Sequence, residues 1–234
     1  MKSEIKNVWP YVVWPPIALN LGAVLLVGGI YAYQYATSTA PPTQPIQVNF
    51  GQIQFALSGL IFAVEWLFAG LLILRYRRSK ESVRRLFSPT GKLTEFRWIP
   101  AIFLFSVFNL IFAGYILYLV ARMPDLSYRD MNILQVGLFI ILTPLTAAFT
   151  EELIWRGHII TSLELRGMKI WAVLLISAGS FALIHGVFLP DKLLVTFVLG
   201  IVTGIYYLKE RSLLPIMFTH WFVDVWSFGI FLLR

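Results

Sequence analysis

The sequence predicts an all-α fold, a polytopic membrane helical bundle of about seven transmembrane helices. Three observations predict it. Hydrophobic residues make up 58% of the 234 and charged residues only 13%, about half the charged share of a soluble globular protein. The apolar residues gather into runs long enough to cross a bilayer, which takes about 20 helical residues. Most of the basic residues sit between those runs. A soluble sphere of this size has no way to hide so much apolar surface. A soluble enzyme, a nucleic-acid binder and a disordered chain are therefore poor readings. The net charge of +7 reads as membrane topology rather than as attraction to nucleic acid.

The first run, Val8 to Tyr35, follows Lys2 and Lys6 and precedes the small residues from Ala36 to Ala40. That is the layout of a signal peptide, but the length of the stretch, with Trp9, Trp14, Pro15 and Pro16, favours a retained helix. The second run is Gln52 to Tyr76 and the third Trp98 to Val120. The fourth is Asn132 to about Ile160, and the fifth Ile170 to Leu189. The sixth, Leu193 to Leu208, is short, and Pro190 and Asp191 leave almost no loop before it. The fifth and sixth form either two spans or one hairpin inside the protein. The seventh is Leu213 to Leu233. Gly200 and Gly204 make a GxxxG step, which lets helices approach closely.

Loop charges set the orientation. Residues 75–97 hold eight basic and two acidic side chains, whereas residues 37–51, with Pro41, Pro42 and Pro45, hold neither. The basic loop is therefore expected in the cytoplasm, with the amino terminus on the same side. Alternating from there leaves Arg122, Arg129, Lys192 and Arg234 as the basic residues outside. A polybasic loop can also recruit anionic lipid, but a topology determinant accounts for it. Cysteine is absent, which excludes disulfides, thiolate catalysis, a cysteine zinc site and lipidation on cysteine. The lack of cysteine and of a targeting signal fits the inner membrane of a bacterium or archaeon.

Ionisable groups inside a membrane span are expensive and each needs a reason. Here they are Glu65 in the second run, then Glu151, Glu152, Arg156 and His158 in the fourth, His185 in the fifth, and His220 and Asp224 in the seventh. All three histidines are among them, and most of the group falls in the last hundred residues. In TAAFTEELIWRGHII, Glu152 and Arg156 are four apart, so on a helix they share a face and pair. Glu151 points about 100° away. It is left either as a general base toward water or as the third member of an ion cluster closing the helix end. His158 follows Glu151 by seven residues, which puts both on one α-helical face, or leaves His158 at the cytoplasmic interface with no role.

His185, in SFALIHGVF, is either a satisfied core histidine or a catalyst, and Gly186 beside it permits close approach. His220 and Asp224, in MFTHWFVDVW, are four apart and face the same way. The carboxylate holds one imidazole nitrogen and frees the other for a reactant, or the pair pins two helices. Glu65 lies outside these segments. It lines the same cavity, or it faces Arg156 or a backbone donor. One shared polar cavity explains acid–base groups on three separate helices better than three independent structural accounts. Such a cavity activates water or holds a metal.

Taken together, EELIWRG at 151–157 resembles an EExxxR motif, FALIH at 181–185 an FxxxH motif, and HWFVD at 220–224 an HxxxN/D motif. In this order the three resemble the CPBP family, the CAAX proteases and bacteriocin-processing enzymes also called the ABI family. LGIVTGIYYLKERSLLPIMFTHW is similar to the family's stretch before its second histidine. The resemblance covers about residues 130–232. It divides the chain into residues 1–130, three helices with the basic loop, and residues 131–234, a catalytic membrane core of four helices.

The resemblance implies an intramembrane endopeptidase of the glutamate type, with no cofactor and with a membrane-associated peptide or protein as substrate. Carried over by motif position, Glu151 and His185 activate the attacking water. His220 and Asp224 stabilise the oxyanion, and Glu152 and Arg156 hold the site together. Some members carry Asn where this chain has Asp224, and an ionised carboxylate has no hydrogen to donate. The expectation is therefore that Asp224 stands behind His220, which donates. Two other classes remain open: a metal-dependent hydrolase, with zinc on the same His and carboxylate groups, and a non-enzymatic self-immunity factor, chaperone or transporter. One geometric conflict also remains. Glu151 and His220 lie toward the cytoplasmic side, whereas His185 lies some 14 residues, about 20 Å, along its helix. Either the fifth helix starts later or tilts, or the fourth extends well past Glu151.

Overall fold

The computed structural model describes residues 7–37, 50–80, 82–87, 97–122, 132–187 and 190–232. The proline-bearing loop within 37–51, most of 81–96 in the basic loop, and Arg129 and Arg234 lie outside the described residues. Every regular element described is helical. The long helices are α1 (Trp9–Thr37), α2 (Phe50–Arg78), α4 (Trp98–Arg122), α5 (Ile133–Glu164), α6 (Ile170–Ile184), α7 (Pro190–Glu210) and α8 (Leu214–Leu232), with a single turn α3 (Arg84–Phe87) in the basic loop. Among the described residues, five are long and apolar enough to cross a membrane: α1, α2 from Phe55, α4, α5 and α7. Side chains such as Ile99, Phe103, Leu110 and Ile133 project outward, the arrangement expected of a lipid-facing surface.

The expected runs coincide with helices, with informative differences at their ends. The fifth run stops early. Its helix, α6, has 15 residues and ends at Ile184, where His185 occupies the C-cap and Gly186 takes φ +104°. At about 1.5 Å per residue it is roughly 22 Å long, short of the ~30 Å hydrocarbon core. It pairs with α7 along the expected small-residue step. A Cβ on Gly200 would stand 2.9 Å from Ala178 Cβ, and one on Gly204 2.8 Å from Leu174 Cδ2. The hairpin alternative is thus the one that suits α6.

The fourth run differs most. Asn132 starts it with a capping box: its Oδ1 accepts from Gln135 N at 3.0 Å while Asn132 N donates to Gln135 Oε1 at 2.9 Å. The helix then alternates between α and π geometry. Leu138–Leu142 is π, Thr143–Glu151 is α, Glu152–Ile160 is π, and a last α turn ends at Glu164. Gly167, with φ +76°, closes the segment as Gly167 N donates to Glu164 O and Met168 N to Leu163 O. The helix therefore extends 13 residues past Glu151, and α6 returns over 15. This resolves the depth conflict: the fourth helix is the longer one, and the chain climbs back to His185 at a level comparable with Glu151.

The packing explains why α5 can carry charge. Its first half, followed by α8, α4, α7, α6, α1 and α2 in that order, forms a closed ring in which each helix touches the next. The π-helical second half runs inside that ring, and all nine residues of Glu152–Ile160 are buried. Gly157 suits this close packing, because a Cβ would come within 3.2 Å of Leu213 Cδ1 and 3.3 Å of Leu86 Cβ, tighter than ordinary contact. Val8, Tyr11 and Leu19 of the amino-terminal segment share one apolar core with Leu153, Trp155 and Ile159.

Candidate active site

The polar side chains of the spans converge on the α–π junction of α5. Glu151 is the last α-helical residue and Glu152 the first π-helical one. Such widened turns occur frequently at functional sites. The pairing expected from the spacing of Glu152 and Arg156 is present, with Arg156 Nε 3.2 Å from Glu152 Oε2. Arg156 Nε also donates to Thr203 Oγ1 of α7 at 2.9 Å, and its guanidinium lies 4.0 Å over the Phe181 ring. The cation thus ties α5 to α6 and α7. Its charge faces a carboxylate on one side and an aromatic face on the other.

His220, on α8, corrects one expectation. Its Nδ1 meets Glu152 Oε1 at 2.8 Å, a hydrogen bond, whereas Asp224 Oδ2 stays 3.5 Å from Nε2. The carboxylate that holds the imidazole is Glu152, from a different helix. Asp224 flanks the free nitrogen instead of standing behind the held one. The reason is reach: Glu152 approaches across the ring interior, while Asp224 lies one turn along α8 itself. Glu151 approaches the same free nitrogen, with Oε2 3.7 Å from His220 Nε2, and that oxygen is buried without a hydrogen-bond partner.

His185 joins this cluster through Phe181. Its ring centroid is 4.8 Å from that of Phe181, and His220 lies 6.3 Å from the same ring. His185 Nδ1 is 3.0 Å from Phe181 O. A carbonyl oxygen only accepts, so Nδ1 carries the hydrogen and Nε2 of the neutral ring keeps its lone pair. Among the described residues, no hydrogen bond joins His185 directly to Glu151.

Two residues that belong to no motif support the site. Asn20 of α1 donates through Nδ2 to Leu183 O at 2.7 Å and accepts from Val187 N at 3.1 Å. It clamps both sides of the turn that carries His185 and Gly186. The sequence offered one signal for it, a lone amide within an apolar run. Glu65 of α2 is buried against Glu151, and its Oε2 accepts from Thr150 Oγ1 at 2.8 Å. Of the alternatives open for Glu65, a place beside Glu151 rather than against Arg156 is the one the contacts favour.

His158 turns to partners other than Glu151. It is fully buried, its Nδ1 lies 3.3 Å from Tyr76 Oη and 3.2 Å from Ser162 Oγ, and its ring stands edge-on to Tyr11. The i→i+5 helix turns less per residue than an α-helix, so seven residues no longer complete two turns. Among the described residues, no three His, Cys, Asp or Glu side chains converge in a metal-ligand arrangement.

The chemistry available is that of a buried polar cluster. Four carboxyl groups (Glu65, Glu151, Glu152 and Asp224) surround one guanidinium and one imidazole, with Lys192 also in electrostatic reach of Asp224 and Glu151. Buried charges persist only when paired, and such a cluster of acids and bases can take up and release protons.

Residues 133–226 match the family described as type II CAAX prenyl endopeptidase Rce1-like. The match covers α5, α6, α7 and α8 as far as Trp226, with every motif residue, so the resemblance carried by the three motifs holds over that segment. No curated protein and no solved structure matches the chain.

Proposed function

We propose that this chain, whose residues 133–226 match the CAAX prenyl endopeptidase family, is a membrane-embedded endopeptidase of the glutamate type. Its substrate is a membrane-associated peptide or protein, cut by an activated water with no metal. The observation that carries the reading is the approach of the unpartnered Glu151 Oε2 to His220 Nε2 at 3.7 Å. Both side chains are buried, and in this reading the attacking water binds beside them, within reach of a base and a donor.

In this reading Glu151 takes a proton from the water as its oxygen attacks the scissile carbonyl, and later returns it to the leaving amine. His185 acts beside it, its lone pair on Nε2. His220, doubly protonated between Glu152 and Asp224, donates Nε2–H to the oxyanion. A donor of this kind is worth roughly 3–4 kcal/mol. Glu152 fixes that ring and Arg156 fixes Glu152. The charge of the basic loop supports a cytoplasmic amino terminus.

The test compares membranes carrying the wild type with membranes carrying Glu151→Ala at equal level, reading new protein termini by mass spectrometry. Termini present with the wild type and missing with the variant are expected, and they identify the substrate. Identical termini with a folded variant would sink the protease reading.

A further inference from the structure

Glu65 sits outside the family-matched segment, on α2, yet it is 2% exposed and touches the cluster at its most reactive member. Its Oε2 accepts from Thr150 Oγ1, the residue preceding Glu151. Its Oε1 is buried with no hydrogen-bond partner, and so is Glu151 Oε2. The two carboxyl groups lie within hydrogen-bond reach of each other. Two carboxylates in contact and away from water do not both ionise, so such a pair holds one proton between its members. Arg156 pairs with Glu152 and lies over Phe181, and among the described residues no ion pair joins it to Glu65.

We infer that Glu65 is a positioning residue for Glu151: its protonated carboxyl donates a hydrogen bond that keeps Glu151 a carboxylate and aims its free oxygen at the water. Glu65 keeps its proton through the cycle, and Glu151 does the transfer. The inference rests on the proposed role of Glu151. The other titratable groups facing Glu65 are His220 and Asp224 on α8, and Lys192 on α7 faces Glu151.

The experiment uses the full-length protein in nanodiscs, with Glu65→Gln and Glu65→Leu. Infrared difference spectra at neutral pH are expected to show a buried protonated-carboxyl band in the wild type that is lost in Glu65→Gln. Identical spectra would overturn the inference. Turnover is then read against pH on a quenched peptide spanning the terminus mapped above. Gln still donates but never ionises. It is expected to retain activity within about tenfold and to flatten the alkaline limb, where Glu65 of the wild type gives up its proton. Leu is expected to lose about a hundredfold in kcat with KM unchanged. Gln as inactive as Leu, or a Gln pH profile that coincides with the wild type, would also overturn it. Should Leu fail to fold, the Gln spectrum and profile decide alone. Loss of the infrared band in Glu65→Gln together with cleavage unaffected by Glu151→Ala would leave the pair standing and remove the protease reading instead.

Discussion

His220 Nδ1 lies 2.8 Å from Glu152 Oε1, so the imidazole of α8 is held by a carboxylate of α5 and not by Asp224 one turn along its own helix. Glu152 thereby contacts both His220 and Arg156. Glu152→Gln is expected to remove most activity and to lower stability together. Removing one partner of a buried charge pair costs about 3–5 kcal/mol because the other charge stays buried. Thermal unfolding in detergent, read beside cleavage, checks it; a variant with wild-type stability and reduced cleavage would contradict the structural half of the claim.

Asp224→Asn separates the two placements of the carboxylate. With Glu152 orienting the ring, Asn at 224 supplies a hydrogen-bond donor beside the free nitrogen and is expected to keep activity within about tenfold, or 1.4 kcal/mol. An activity loss of several hundredfold would mean that Asp224, despite its 3.5 Å distance, is what charges His220.

Asn20 acts on the turn around His185 from another part of the chain. Asn20→Leu loses the bonds to Leu183 O and Val187 N, each worth about 0.5–1.5 kcal/mol net. A fall of tenfold or more in kcat is expected, with only a few degrees lost in Tm. The check is a protease-protection assay on residues 185–187 run beside turnover. Unchanged protection and unchanged kcat would refute the clamp.

The contact between α6 and α7 gives a graded prediction. A methyl at Gly200 meets Ala178 Cα at 3.0 Å, backbone that has to move, whereas a methyl at Gly204 meets the side-chain ends of Leu174 and Ile160. Gly200→Ala is expected to cost about 1–3 kcal/mol, as overpacking does, and Gly204→Ala less. Gly229→Ala, with nothing within 4 Å, is the neutral control. Equal melting temperatures for all three would show that this helix pair is looser than the structure has it.

The helices were legible because each bilayer crossing demands an uninterrupted apolar run, a signal carried by the residues one after another. The short α6 was half legible: its sequence continues apolar to Leu189, but Gly186 at φ +104° ends the helix before that. The Glu152–Arg156 pair was legible because local spacing decides it. The same reasoning misled for His158 and for Asp224. Both readings assumed an α-helical repeat or a partner on the same helix. The π geometry from Glu152 to Ile160 and the arrival of Glu152 across the ring interior supersede both.

By itself, then, the sequence determined a membrane bundle and the residue types of a buried acid–base cluster, since hydrophobic run length and the cost of burying charge act locally along the chain. The tertiary structure decided which carboxylate holds which ring, that Glu65 and Asn20 from the first two helices reach the site, and that Glu151 and His185 stand at comparable depth. Those are contacts between residues up to 167 positions apart, fixed by how the helices close into a ring, and no spacing within one helix encodes them.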